Sequence, residues 1–285
     1  MRKNIGRMVS LAVLAVLLVA GSQVPAGALE IRSDDPNVFG PGEGLHVPTA
    51  ISPGDNGPWV KRLQIYLAEA GFRPGLPDGQ FDEVTLGAVY AFQKVHDLDR
   101  SGVFQKQHWD LFDNSVDLPE LGDAPDRVEV DLAKQVLFLV KNDRVEAVVP
   151  ISSGNGESYR GSTGAQVRAR TPEGDYEFYK RVDGWRISYL GGLYRPYYFR
   201  GGYAIHGSRS VPPYPASHGC VRVELHDMDY LVTELELGMP VFVYGLRISR
   251  SDVVPPQEPP PLDSRPAQQR SQHLPIKAFG SPTIF

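Results

Sequence analysis

The sequence predicts an α+β chain: a small three-helix bundle followed by a mainly β domain, sandwich- or barrel-like in kind. Three observations predict it. Apolar residues recur at helical spacing between Trp59 and Leu111. The period falls to two from Arg127 onward. The segment between them, residues 114–126, mixes Pro119, Gly122 and Pro125 with acidic residues, as interdomain linkers do.

Residues 1–28 have the layout of a secretory signal. Arg2, Lys3 and Arg7 make a positive start, Met8 to Ala20 is apolar but for Ser10, and Ala26-Gly27-Ala28 offers small residues for cleavage. The apolar run is shorter than the roughly 20 residues a membrane span needs, so export is expected, with an uncleaved signal anchor as the alternative. Cleavage would leave 26 basic against 34 acidic residues, a net charge of −8. An acidic chain without a basic stripe is a poor nucleic-acid binder.

Residues 29–54, rich in Pro, Gly and Asp, read as a linker. The helical domain is expected over 55–113. Val60, Leu63, Gln64, Leu67 and Ala68 share one face of a first helix, which Gly71 stops. Thr85, Ala88, Val89 and Phe92 mark a second, and a short third begins near Gln105 and carries Trp109 and Leu111. The β domain is expected over 127–246. Strands are predicted from Arg127, over 135–141 and 144–150 around an Asn142-Asp143 turn, over 174–182, over 197–206 and over 241–244. One helix is predicted over 227–237. Residues 247–285, with Pro255-Pro256 and Pro259-Pro260-Pro261 and no recurring apolar face, are expected to be a disordered tail.

The chain has a single cysteine, Cys220. In an exported protein it is a buried passenger, an intermolecular link or a reactive thiol. Its neighbours favour the last: His206-Gly207-Ser208, a Pro-rich loop, then Ser217-His218-Gly219-Cys220-Val221-Arg222. A thiol with its usual pKa near 8.5 needs a base or a positive field to attack a carbonyl. His206, at a strand end, and His218 are candidates for that base. Gly219 lets the backbone turn tightly and leaves N–H groups for an oxyanion. Arg222 suits bidentate carboxylate recognition, or is a surface charge. Two histidines and a cysteine also raise zinc, with His226 as a further ligand, but no usual zinc spacing is met.

Two resemblances follow from these residues. The run from Gly57 to Gln64, then Leu67, Gly71-Phe72, Asp78-Gly79-Gln80-Phe81, Thr85, Ala88-Val89, Phe92-Gln93, Gly102-Val103-Phe104 and Trp109, resembles a three-helix peptidoglycan-binding domain. It implies a fold and the sacculus as ligand; most of these apolar residues fill the bundle core. His206-Gly207-Ser208 with the Ser-His-Gly-Cys-Val-Arg run resembles the YkuD-type L,D-transpeptidase catalytic domain. That resemblance extends to Thr171-Pro172-Glu173-Gly174, to residues 201–205 and to Gly238-Met239-Pro240-Val241.

The second resemblance implies a cysteine acyltransferase of the cell wall or periplasm, without metal or organic cofactor. Cys220 would attack a peptidoglycan stem tetrapeptide between its third and fourth residues, release D-Ala, and pass the acyl group to an amine of a neighbouring stem. His206 would be the base, with the Gly207 carbonyl orienting its ring. N–H groups around Gly219 and Cys220 would hold the oxyanion. Ser217 and His218 would shape the site, and Arg222, Ser208 and Tyr203 would meet substrate. The aromatic run from Tyr194 to Phe199 departs from the family pattern and bears on the acceptor side. A hydrolytic sibling using the same thioester, and a non-catalytic wall-binding module, are the competing readings.

Overall fold

The structure is a computed structural model that describes residues 47–112 and 124–245. The expected signal and tail, most of the first linker and most of the second lie outside the described residues.

The N-terminal part is helical. β1 (Ala50–Ile51) leads to α1 (Pro58–Glu69), which begins on a proline where no N–H is needed and is followed by Gly71 at φ +84°. α2 (Glu83–Val95) is capped by Asp82, whose carboxylate accepts the Thr85 N–H at 2.9 Å. β2 (Phe104–Gln105) pairs antiparallel with β1. The expected third helix is a 3-10 turn, Lys106–Leu111. So short a segment cannot repay α-helix nucleation, and tight turns of this kind serve short pieces. Gln64 fastens the connection between the helices. Its carbonyl accepts the Gly79 N–H at 2.8 Å, and its amide donates to Asp78 at 3.1 Å and Thr85 at 3.0 Å. These polar positions of the peptidoglycan-binding pattern therefore hold the fold.

The β part begins with β3 (Arg127–Asp131), β4 (Val136–Lys141) and β5 (Arg144–Pro150), a meander. A small hairpin follows, β6 (Ser158–Arg160) and β7 (Gln166–Arg168). The segment predicted as one strand over 174–182 is two, β8 (Gly174–Glu177) and β9 (Lys180–Arg181), in different sheets. The crossing comes at buried Phe178: its N–H donates to Met239 of one side, and the next N–H, of Tyr179, donates to Tyr198 of the other.

β10 (Trp185–Ser188) and β11 (Gly191–Arg200) form a hairpin. The strand predicted over 197–206 is also two, β11 and β12 (Tyr203–Ser208), because the chain reverses at Gly201, φ +49°, and Gly202. β13 (Val221–Glu224), α3 (Leu225–Glu234) and β14 (Pro240–Tyr244) complete the order. α3 ends before the predicted 237 because Leu235 is extended, with φ −83° and ψ 135°.

One sheet runs β5-β4-β3-β14-β8 and the other β10-β11-β12-β13, with β9 on β11; neither closes into a barrel. Core one, with α3, holds Leu137, Leu139, Ile205, Val221 and Met228. Core two holds Val136, Phe138, Val140 and Val148 against Leu63, Val89 and Phe92 of the helices. β4 is thus buried on both faces, which explains its unbroken Val-Leu-Phe-Leu-Val run. The helical part and the β part share a core.

Polar ties reinforce that seam. The Val148 N–H donates to Gly71 at 2.9 Å. Lys94, buried in α2, donates to the carbonyls of Gln135 and Ile151, each at 3.0 Å. Arg100 donates to Pro213 at 2.8 Å and Lys134 at 3.2 Å, bracing the loop that returns to Cys220.

Candidate active site

β12 and β13 run side by side and parallel, with Ile205 opposite Val221 and His206 opposite Arg222. Parallel neighbours cannot be joined by a tight turn, so residues 209–220 loop back over the strand ends. Ile205, Val221 and Val223 point into the core. Side chains alternate across a strand, so His206, Cys220 and Arg222 share the opposite face, with Cys220 diagonal to His206. The fold thereby places an imidazole, a thiol and a guanidinium along one cleft.

The loop carrying the thiol is templated by residues 152–155. Ser152 and Arg222 exchange backbone hydrogen bonds, each 3.0 Å. The Ser153 carbonyl accepts from Ala216 at 3.0 Å and Ser217 at 2.8 Å. Gln135 holds Ser153 in turn, donating to its hydroxyl at 2.7 Å and accepting its N–H at 2.9 Å. Thr171 donates to the Gly219 carbonyl at 2.8 Å. Ser217, buried, staples the turn: its hydroxyl donates to the Cys220 carbonyl at 2.6 Å and accepts the Gly219 N–H at 3.0 Å. The expectation that the Gly219 N–H faces an oxyanion is therefore not met, because Ser217 already occupies it. Gly219 is needed for another reason. Its φ is +133°, and a Cβ there would lie 2.6 Å from the Tyr203 ring and 3.0 Å from the Arg170 carbonyl.

The ring of His206 is buried, and its Nδ1 lies 2.8 Å from the Gly207 carbonyl. A carbonyl only accepts, so Nδ1 carries the proton and Nε2 has a free lone pair. Burial lowers the His206 pKa to about 4, with the Gly207 hydrogen bond opposing and Arg222 assisting. Gly207 is crowded as well: a Cβ would meet Tyr194 at 2.8 Å and Met228 at 3.1 Å. Cys220 is half-buried, and its thiol donates to Gly202 at 3.8 Å. Burial pushes its pKa up, against the Ala204 N–H and the positive Arg222. The resting pair is thus a thiol beside a neutral imidazole.

Cys220, His206, Arg222, Ser217, His218, Ser208 and Tyr203 all line one cleft of about 870 Å³. Gly207 and Gly219 do not line it. His218 is exposed and meets Tyr159 edge-on, centroids 4.8 Å apart. Ser208 accepts the Ser210 N–H at 3.2 Å. Of the aromatic run, Tyr197 and Phe199 enter the core and Tyr198 lines the cleft. Sequence reasoning missed Tyr159 and the β10–β11 hairpin, which walls the cleft with Trp185, Arg186, Ile187 and Tyr189. The alternation of Trp185 and Ile187 before Gly191-Gly192 is the signal that marks that hairpin. His226 does not line the cleft; it lies 3.5 Å from Asp227. Among the described residues no cluster of His, Cys, Asp and Glu is arranged to hold a metal ion.

Comparison with known proteins agrees with this architecture. The family model of the L,D-transpeptidase catalytic domain, YkuD, matches residues 125–243. That of the peptidoglycan binding domain matches residues 56–111. A search of curated proteins found no match. Among solved structures, the L,D-transpeptidase of Xylanimonas cellulosilytica is 40% identical, with 70% of this chain and 100% of that chain covered and a TM-score of 0.66. An L,D-transpeptidase of Stackebrandtia nassauensis is 23% identical, covering 70% and 98%, with a TM-score of 0.41. Identity of 40% over the whole of the Xylanimonas structure, together with the YkuD match, shows that this chain belongs to the YkuD-type L,D-transpeptidase family.

Proposed function

We propose that this protein is an exported peptidoglycan L,D-transpeptidase in which Cys220 is the nucleophile and His206 its base. The observation that carries the reading is the 2.8 Å contact of His206 Nδ1 with the Gly207 carbonyl, on a ring that shares a sheet face and a cleft with Cys220. His206 Nε2 takes the thiol proton as Sγ attacks the carbonyl between the third and fourth residues of a stem tetrapeptide. The Cys220 amide would hold the oxyanion, since the Gly219 N–H is taken by Ser217. The C–N bond then breaks, the imidazolium returns its proton to the leaving D-Ala, and a thioester remains. The amine of a neighbouring stem's diamino acid loses a proton to His206 and displaces the thiolate, giving a 3→3 cross-link. The chemistry requires no cofactor. The basic, apolar and small-residue layout of residues 1–28 supports export to the cell wall or periplasm, and the helical domain supports retention on the sacculus.

The discriminating assay supplies a donor tetrapeptide with and without an acceptor stem. Cross-linked dimer together with free D-Ala supports transfer. Tripeptide alone, at saturating acceptor, would replace transfer by hydrolysis.

Gly219→Ala tests the turn. A Cβ forced against Tyr203 and the Arg170 carbonyl must displace the thiol by several tenths of an ångström or more. Misplacement on that scale costs up to about 10²-fold in rate. The variant is expected to fold, to keep KM within a few-fold and to lose acylation; rates within twofold of wild type would contradict the geometry.

A further inference from the structure

Among the described residues, three arginines line the cleft around Cys220, namely Arg186, Arg209 and Arg222, and no aspartate or glutamate does. The chain as a whole has 34 acidic against 29 basic residues, so this concentration of one sign is local. Among the described residues the ion pairs are made elsewhere, and none includes any of these three. Arg222 is half-buried, level with His206 and two positions from Cys220. Arg186, exposed on β10, is a hydrogen-bond partner of the Tyr198 hydroxyl. Arg209 follows β12 and stacks on Trp185, 5.3 Å from the ring centroid. Stacking engages the flat face of a guanidinium and leaves its edge donors free.

We propose that these arginines make the enzyme select stem peptides whose second and third residues carry free carboxylates, against stems in which those groups are carboxamides. The inference rests on the transpeptidase reading above and adds substrate choice to it. A half-buried guanidinium without a counter-charge has lost part of its hydration, which an anion compensates more fully than a neutral acceptor does. A carboxylate offers two acceptor oxygens to the guanidinium fork in charge-assisted bonds. A carboxamide offers one and sets its own N–H donors against the arginine's. The apolar wall of Trp185, Ile187 and Tyr189 lowers the local dielectric and extends the reach of all three charges. Arg186 and Arg209, on the rim, act on capture of the stem. Arg222, beside the thiol, acts on the bound peptide.

The test uses two disaccharide-tetrapeptides that differ only in amidation of those carboxylates, with the full exported chain. Wild type is expected to acylate from the free-acid stem with kcat/KM about 10–100-fold higher, the size of one or two such contacts. The Arg186→Gln/Arg209→Gln variant should shrink that ratio to a few-fold, chiefly by raising KM for the free-acid stem. Added salt should shrink it too. Equal wild-type rates on the two stems, or a ratio unchanged in the double variant, would overturn the inference and leave the transpeptidase reading standing. If wild type acylates from neither stem, that reading fails. Calorimetric binding of both stems to Cys220→Ala then reads charge preference alone, and equal affinities there overturn the inference independently.

Discussion

His206→Gln should lower the rate of Cys220 acylation by about 10²–10⁴-fold, the usual contribution of a positioned general base, with a much smaller effect on KM. Glutamine can occupy the buried slot but has no titratable lone pair to accept the thiol proton. The size of the loss follows from the resting state. Burial holds the thiol above its ordinary pKa and His206 down at about 4, so little thiolate exists at neutral pH, and in the proposed mechanism attack depends on proton transfer to Nε2. The same facts fix the pH dependence. The base is needed in its neutral form, so activity is lost as pH falls through the His206 pKa. In wild type, kcat/KM should hold between pH 6.5 and 5 and fall only toward pH 4, whereas an ordinary imidazole would fail from about 6.5 downward. A preformed thiolate–imidazolium pair would instead let a small neutral alkylating reagent modify Cys220 rapidly at pH 6. Here that reaction should be slow and accelerate with rising pH. Acylation by His206→Gln within tenfold of wild type would remove His206 from the role of base.

Lys94→Met should cost about 1–3 kcal/mol of stability, the penalty for stranding a buried acceptor, and lower Tm by about 2–12 °C. Methionine fills the space but donates nothing. The Gln135 carbonyl keeps a second partner, the Ile151 N–H at 3.0 Å, so the Ile151 carbonyl bears most of the loss. The consequence reaches the site because Ile151 precedes the Ser152–Ser153 template, and because Gln135 itself holds Ser153. Acylation should therefore weaken along with stability, although Lys94 is a helical-domain residue outside the cleft. Exposed Lys106→Met, in the same domain, should change stability by no more than about 0.5 kcal/mol. Equal thermal scans for the two variants would show that the shared seam does not support the β domain.

These two expectations differ in how much of them the sequence alone reveals. Cys220, His206 and Arg222 are legible because the chemistry needs those residue types close to a glycine turn, and parallel pairing of β12 with β13 turns their sequence spacing into proximity. Lys94 is not legible. It ends a helix that elsewhere shows ordinary amphipathic spacing, and its acceptors stand 41 and 57 residues away. The unbroken apolar run of β4 could have announced a strand covered on both faces, and so a docked helical domain, but β propensity alone does not say what covers it. Residues 174–182 and 197–206 read as single strands because both stretches are rich in strand-forming aromatics. The breaks come from tertiary pairing at Phe178 and from the Gly201-Gly202 reversal. Ser217 illustrates the opposite case. Its position is legible, while its bond to the Gly219 N–H depends on backbone geometry that no residue pattern encodes.

The most direct test of the central claim is intact-protein mass spectrometry of the full chain with a disaccharide-tetrapeptide, wild type beside Cys220→Ala. A mass increase equal to the stem less D-Ala is expected on wild type only, discharged when an acceptor stem is added. An adduct of that mass on Cys220→Ala, or undiminished D-Ala release by that variant, would contradict it.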